Sequence, residues 1–103
     1  MLEIESDGTL YSDEVLDIKA KKLINKEKGK ILSKNALNIN SEEVAENVGT
    51  IQGENELSVS TKKLKTTENS KILSSKKLNI EASEIESDGT LYSDEVLDIK
   101  TKI

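Results

Sequence analysis

The chain has 103 residues, with 20 acidic and 15 basic side chains, a formal net charge of −5, and no Cys, His, Pro, Trp or Phe. This excludes thiol and imidazole nucleophiles, an imidazole base, disulfide bridges and Cys/His metal sites. Lys and Glu are mixed throughout, without the basic stripe that nucleic acid demands. With 34% hydrophobic residues and two aromatics, an ordinary globular core would be thin, so any fold has to come from pattern.

No apolar run exceeds three residues, so no membrane insertion is expected, and Met1-Leu2-Glu3 does not begin a signal peptide. The absence of Cys leaves the redox compartment open.

From the N-terminus, Ile4 is followed by Gly8-Thr9-Leu10-Tyr11-Ser12 and then by the pair Leu16/Ile18. The same order recurs as Leu23, GKILS at 29–33 and Leu37/Ile39, then as Val44, GTIQG at 49–53 and Leu57/Val59. A fourth unit follows with Leu64, SKILS at 70–74 and Leu78/Ile80, and a fifth with Ile85, GTLYS at 89–93 and Leu97/Ile99. The stretch IESDGTLYSDEVLDIK stands letter for letter at 4–19 and at 85–100, giving a four-coil higher-order repeat of 81 residues. The whole of 1–103 reads as one repeat segment, a slice of a longer fibre.

Three intervals within the unit are rigid. The aliphatic residue of the first signature lies six before the Leu, Leu lies two before Ile or Val, and the third anchor follows five later. Only the step from third anchor to the next first signature varies, as 6, 8, 7, 8 and 6 residues. A coiled coil could not absorb such changes, and disorder would not hold three intervals fixed. The pattern predicts an all-β fold, a right-handed parallel β-solenoid of about five coils of 19–21 residues, with three short strands per coil.

The expected inward ladders are Leu10-Ile31-Ile51-Ile72-Leu91, Leu16-Leu37-Leu57-Leu78-Leu97, Ile18-Ile39-Val59-Ile80-Ile99 and Ile4-Leu23-Val44-Leu64-Ile85. A small inward column, Ser12-Ser33-Gly53-Ser74-Ser93, would close the first strand against its corner. Gly8, Gly29, Gly49 and Gly89, with Ser70 in the fifth place, mark the elastic corner, where a positive φ is expected. Outward columns avoid like charges: Glu3, Lys22, Glu43, Lys63 and Glu84 alternate in sign, and Asp17, Asn38, Ser58, Asn79 and Asp98 keep carboxylates apart.

The unit G-x-I-x-S-x3-L-x-I-x-A/S/T-x2-L-x-N-x-G resembles the haemagglutinin repeats of filamentous-haemagglutinin-like exoproteins. The likeness is carried by Gly29-Lys30-Ile31-Leu32-Ser33, Leu37-Asn38-Ile39, Val44 and Asn47-Val48-Gly49-Thr50-Ile51. The chain departs from the pattern at Ser70, and the Asn before the Gly is clear only at Asn47 and Asn69. The resemblance implies a shaft segment of a two-partner-secretion adhesin or contact-dependent inhibition protein, secreted and displayed at a bacterial cell surface. Its implied partners are neighbouring coils of the same fibre and a host surface protein or glycan.

One outward column, Tyr11-Leu32-Gln52-Leu73-Tyr92, sets both tyrosines and two leucines on one face, where they either cover the shaft or contact a ligand. Acidic turns at Asp7/Asp13/Glu14 and Asp88/Asp94/Glu95 have calcium-ligand types but lack the nonapeptide spacing of calcium-binding solenoids, and read as solvated corners. No singular Arg-and-carboxylate constellation marks an enzyme, and no cofactor or metal is expected. The row Thr9, Lys30, Thr50, Lys71, Thr90 interrupts with lysines the Thr array an ice-binding face would use. Matching ends at 4–19 and 85–100 predict head-to-tail self-association through open strand edges.

Overall fold

In the computed structural model, which describes residues 3–101, the chain winds as a parallel β-solenoid of about five turns, 76% strand and without helix. The strands are β1 (Glu3–Ser6), β2 (Thr9–Ser12), β3 (Val15–Asn25), β4 (Lys30–Ser33), β5 (Ala36–Asn47) and β6 (Thr50–Gly53). They continue with β7 (Glu56–Thr66), β8 (Lys71–Ser74), β9 (Lys77–Ser87), β10 (Thr90–Ser93) and β11 (Val96–Thr101). The long strands form one six-stranded sheet, β1-β3-β5-β7-β9-β11, and the short ones a five-stranded sheet, β10-β8-β6-β4-β2. The three expected faces are present, but the second and third are joined: each of β3, β5, β7 and β9 runs through a bend rather than breaking into two strands.

Alternation explains why these residues form strands. In β4 the pattern Lys30-Ile31-Leu32-Ser33 buries Ile31 and Ser33, and in β5 the run Leu37-Asn38-Ile39-Asn40-Ser41 buries every second residue. The ladder through Ile31, Ile51 and Ile72 stacks in register. So do the ladders through Leu37, Leu57 and Leu78 and through Ile39, Val59 and Ile80. Leu57, at the centre, is 0% exposed. Each coil buries its aliphatic residues only with help from its neighbours, which is why Leu97 and Ile99 of the last coil remain 46% and 42% exposed.

One ladder differs from the sequence expectation. Leu23 pairs with Ala45, and Ala45 with Leu64, so Ala45 rather than Val44 fills the third inward ladder. Ala45 is buried, whereas Val44 is only half-buried and stands between Lys22 and Lys63. The physical cause is an extra residue at the bend of β5, where the register shifts between Ser41 and Val44. The alternating charge column is therefore Glu3-Lys22-Val44-Lys63-Glu84, with Glu43 displaced from it. With Ala45 as the anchor, the elastic step becomes 6, 8, 6, 8 and 6 residues. Corners of two residues (7–8, 48–49, 88–89) alternate with corners of four (26–29, 67–70), the latter closed by Gly29 N–H to Lys26 O (2.9 Å) and Ser70 N–H to Thr67 O (3.0 Å).

The glycines are also needed for a reason other than the expected one, because no residue has a positive φ among those described. Gly29, Gly49 and Gly89 are places of close approach, whereas a Cβ at Gly8 would meet nothing within 4 Å. A Cβ at Gly29 would strike the Asn25 side chain and the Ser6 carbonyl oxygen, and one at Gly49 would strike the carbonyl oxygens of Gly29 and Lys26. Ser70 fits the equivalent place because the residue four before it is Thr66 rather than Asn, and its hydroxyl donates to Thr67 O at 2.8 Å.

Candidate functional site

The candidate surface is built on the five-stranded sheet, whose alternate residues face solvent. Register pairs Tyr11 with Leu32, Leu32 with Gln52, Gln52 with Leu73 and Leu73 with Tyr92, so the expected column is continuous. Leu32, Gln52 and Leu73 are half-buried, while Tyr11 and Tyr92 are 53% and 51% exposed. Four steps of about 4.8 Å put the tyrosines roughly 19 Å apart. They stand at the two ends of a Leu-Gln-Leu strip, too far apart to form one aromatic patch.

Each tyrosine is held by the corner after its own strand. The Tyr11 phenol donates to Asp13 Oδ1 at 2.7 Å, and the Tyr92 phenol donates to Asp94 Oδ1. The hydrogen bond to Asp13, with smaller contributions from desolvation and from the charges of Asp13 and Glu54, raises the Tyr11 pKa above its ordinary value. The bond to Asp94 and that carboxylate's charge do the same for Tyr92. Both phenols are therefore neutral donors at pH 7, with rings oriented rather than free. Such a strip offers apolar contact and hydrogen bonding but no activated nucleophile.

Among the described residues no group of three or more carboxylates is placed to hold a metal ion. Asp13 and Asp94 instead serve the tyrosines. The Thr/Lys row is confirmed in register as Thr9, Lys30, Thr50, Lys71 and Thr90, with lysines breaking the threonine array.

On the opposite sheet a shallow groove of about 230 Å³ is lined by Ser58, Ser60, Asn79, Glu81, Asp98 and Lys100 among others. Its outward residues belong to columns that recur coil after coil. Asn38 Nδ2 donates to Asp17 Oδ1 at 2.8 Å in the column that continues through Ser58, Asn79 and Asp98. The groove can hydrogen-bond a polar ligand, but no nucleophile–base pair stands out in it.

A second column went unread in the sequence: Ser6, Asn25, Asn47, Thr66 and Ser87 stack in register at the elastic corner, the first four buried and Ser87 exposed. Asn25 Nδ2 donates to Asn47 Oδ1 at 2.8 Å and to Thr50 O at 3.1 Å, and Asn47 Nδ2 donates to Lys71 O at 3.0 Å. Thr66 Oγ1 donates to Ser87 Oγ at 2.9 Å and accepts from Gly89 N–H at 3.3 Å. These side chains hydrogen-bond to one another and to backbone carbonyls at the strand starts of the next coil. The signal was present in the sequence, since Leu23-x-Asn25 and Ala45-x-Asn47 share one spacing.

The chain matches no family model, no curated protein and no solved structure.

Proposed function

We propose that this chain is a shaft segment, a rigid spacer whose contribution is length and stiffness, within a secreted haemagglutinin-like exoprotein at a bacterial cell surface. The observation that carries the reading is the uniformity of the coil: each interior column runs unbroken, and the outward columns repeat instead of converging on one constellation. A stack fixed by parallel ladders and buried corner amides resists bending, and its reach grows by about 4.8 Å with each added coil. The haemagglutinin-repeat likeness of Gly29–Ser33, Leu37–Ile39 and 47–51 supplies the surface-display context, and no catalytic role is assigned.

A second reading is favoured by the two oriented tyrosines. In it the Tyr11-Leu32-Gln52-Leu73-Tyr92 column contacts a host protein or glycan directly. Replacing Tyr11, Leu32, Leu73 and Tyr92 together by Ala separates the two. The spacer reading expects unchanged binding to host cells and glycan arrays, with an unchanged β circular-dichroism spectrum. Loss of a measurable wild-type adhesion, with the spectrum preserved, refutes the spacer.

A further inference from the structure

Charge on this solenoid changes sign from one interior coil to the next. Coil two (21–41) carries six lysines and one carboxylate, coil three (42–61) five carboxylates and no lysine, and coil four (62–82) six lysines and two carboxylates. The bands repeat every two coils, about 9.6 Å. At a distance they cancel, so they act only on a surface in direct contact. Stacking neutralises part of the pattern. Lys22 Nζ lies 3.8 Å from the Glu3 carboxylate, Lys26 Nζ 3.7 Å from that of Glu5, and Lys63 Nζ 3.7 Å from that of Glu86. Each carboxylate in these pairs belongs to a strand of the six-stranded sheet.

The outer face of the five-stranded sheet keeps its charges unpaired. Two of its columns are Thr9-Lys30-Thr50-Lys71-Thr90 and Tyr11-Leu32-Gln52-Leu73-Tyr92. A third, Asp13-Lys34-Glu54-Ser75-Asp94, stands at the corner that follows each strand. Lys30, Lys34, Glu54 and Lys71 are exposed, and among the described residues none of them has an ion-pair partner within 4 Å. The Glu54 carboxylate lies near enough to the apolar strip for its charge to act on the Tyr11 phenol. Coils two and three each have a coil above and below, so the stack itself leaves Lys34 and Glu54 open to solvent.

We propose that this face pairs side by side with the same face of a second copy, the two solenoids antiparallel about a two-fold axis that runs along the strands between coils two and three. The two-fold sets each column against itself with the coil order reversed, so coil two meets coil three of the other copy. Lys34 then faces Glu54 of the second copy, and Glu54 faces its Lys34. Lys30 meets Thr50, Leu32 meets Gln52, and in the flanking coils Tyr11 packs on Leu73. Moving the axis by half a coil, onto coil two or coil three, opposes Lys34 to Lys34 or Glu54 to Glu54, so charge fixes the register. Four strands of four residues cover roughly 19 Å by 13 Å, about 250 Å² on each copy. A standard interface covers about 800 Å² a side, so the pair is weak and reversible. The pairing rests on neither the spacer nor the adhesive reading.

The test has two arms on the full chain. In the first, Lys34→Glu and Glu54→Lys are made singly, at positions already exposed to solvent, and folding is checked by circular dichroism. Each variant alone opposes like charges across the two-fold, whereas a mixture of the two pairs Glu with Lys at both contacts. By sedimentation at about millimolar concentration and low salt, wild type should dimerise, and the mixture should associate at least tenfold more tightly than either variant alone. Wild type that stays monomeric, or a mixture no tighter than its components, overturns the proposal. The second arm needs no variant. Carbodiimide cross-linking of an equimolar mixture of unlabelled and ¹⁵N-labelled wild type should yield Lys34–Glu54 cross-linked peptides with one light and one heavy half. Cross-links with both halves alike and no hybrids show contact within one chain only, which also overturns it. Neither arm alters Tyr11, Leu32, Leu73 or Tyr92, so failure here leaves the adhesion assay of the spacer reading unaffected.

Discussion

Val44 and Ala45 offer a decisive test of register. Ala45 is 3% exposed and packs between Leu23 and Leu64, whereas Val44 is half-buried between Lys22 and Lys63. Ala45→Glu forces a carboxylate into an aliphatic ladder with no cation in reach, at an expected cost of about 3 kcal/mol or more. Val44→Glu gives up a half-buried side chain, about 1 kcal/mol. It gains two lysine neighbours at a partly exposed site, returning between 0 and about 1 kcal/mol. The net change is expected within about 1 kcal/mol of zero, because the new carboxylate restores sign alternation along Glu3-Lys22-44-Lys63-Glu84. Urea titration followed by β circular dichroism measures both. If Val44→Glu unfolds the chain while Ala45→Glu is tolerated, the bulge in β5 is misplaced and the third inward ladder belongs to Val44 after all.

Three other outcomes are expected. Leu57→Ala, at the centre of the stack, should cost about 3 kcal/mol in the same titration, while Leu97→Ala in the same ladder costs about 1 kcal/mol, because its end of the core is open. Gly49→Ala should cost about 2 kcal/mol, since its Cβ meets two backbone carbonyls, but Gly8→Ala, with nothing within 4 Å, should be neutral or slightly stabilising. Tyrosinate absorbance should titrate above the ordinary phenol value in the folded protein, and Asp13→Asn should bring Tyr11 back down. Because the folded phenol pKa is raised, the stabilisation is fully present below the unfolded value and disappears as pH rises through the folded one.

The main ladders were legible because Leu-x-Ile at constant spacing has one geometric meaning in a stack: residues of like period face inward together. That logic located Leu37, Leu57 and Leu78 and the whole Tyr11-to-Tyr92 column. It failed at Val44, where reading for the larger apolar residue outweighed the possibility of an extra residue in the bend. It also failed to see Asn25 and Asn47 as interior, since amides look like surface until their acceptors are known. Those acceptors include Thr50 O and Lys71 O, 25 and 24 residues away. The corner glycines were recognised as special, but for backbone freedom instead of crowding.

The sequence by itself determined the coil, its length and the identity of the buried Leu, Ile and Val side chains, though not the buried alanines Ala20, Ala45 and Ala82, because hydrophobic period and repeat spacing are local properties of the chain. Tertiary structure alone decided which of two neighbours points inward at 44–45, why the corners hold glycine, and how buried amides close the bends. Each of those depends on what the next coil places within a few ångströms, and that neighbour lies some twenty residues away along the chain.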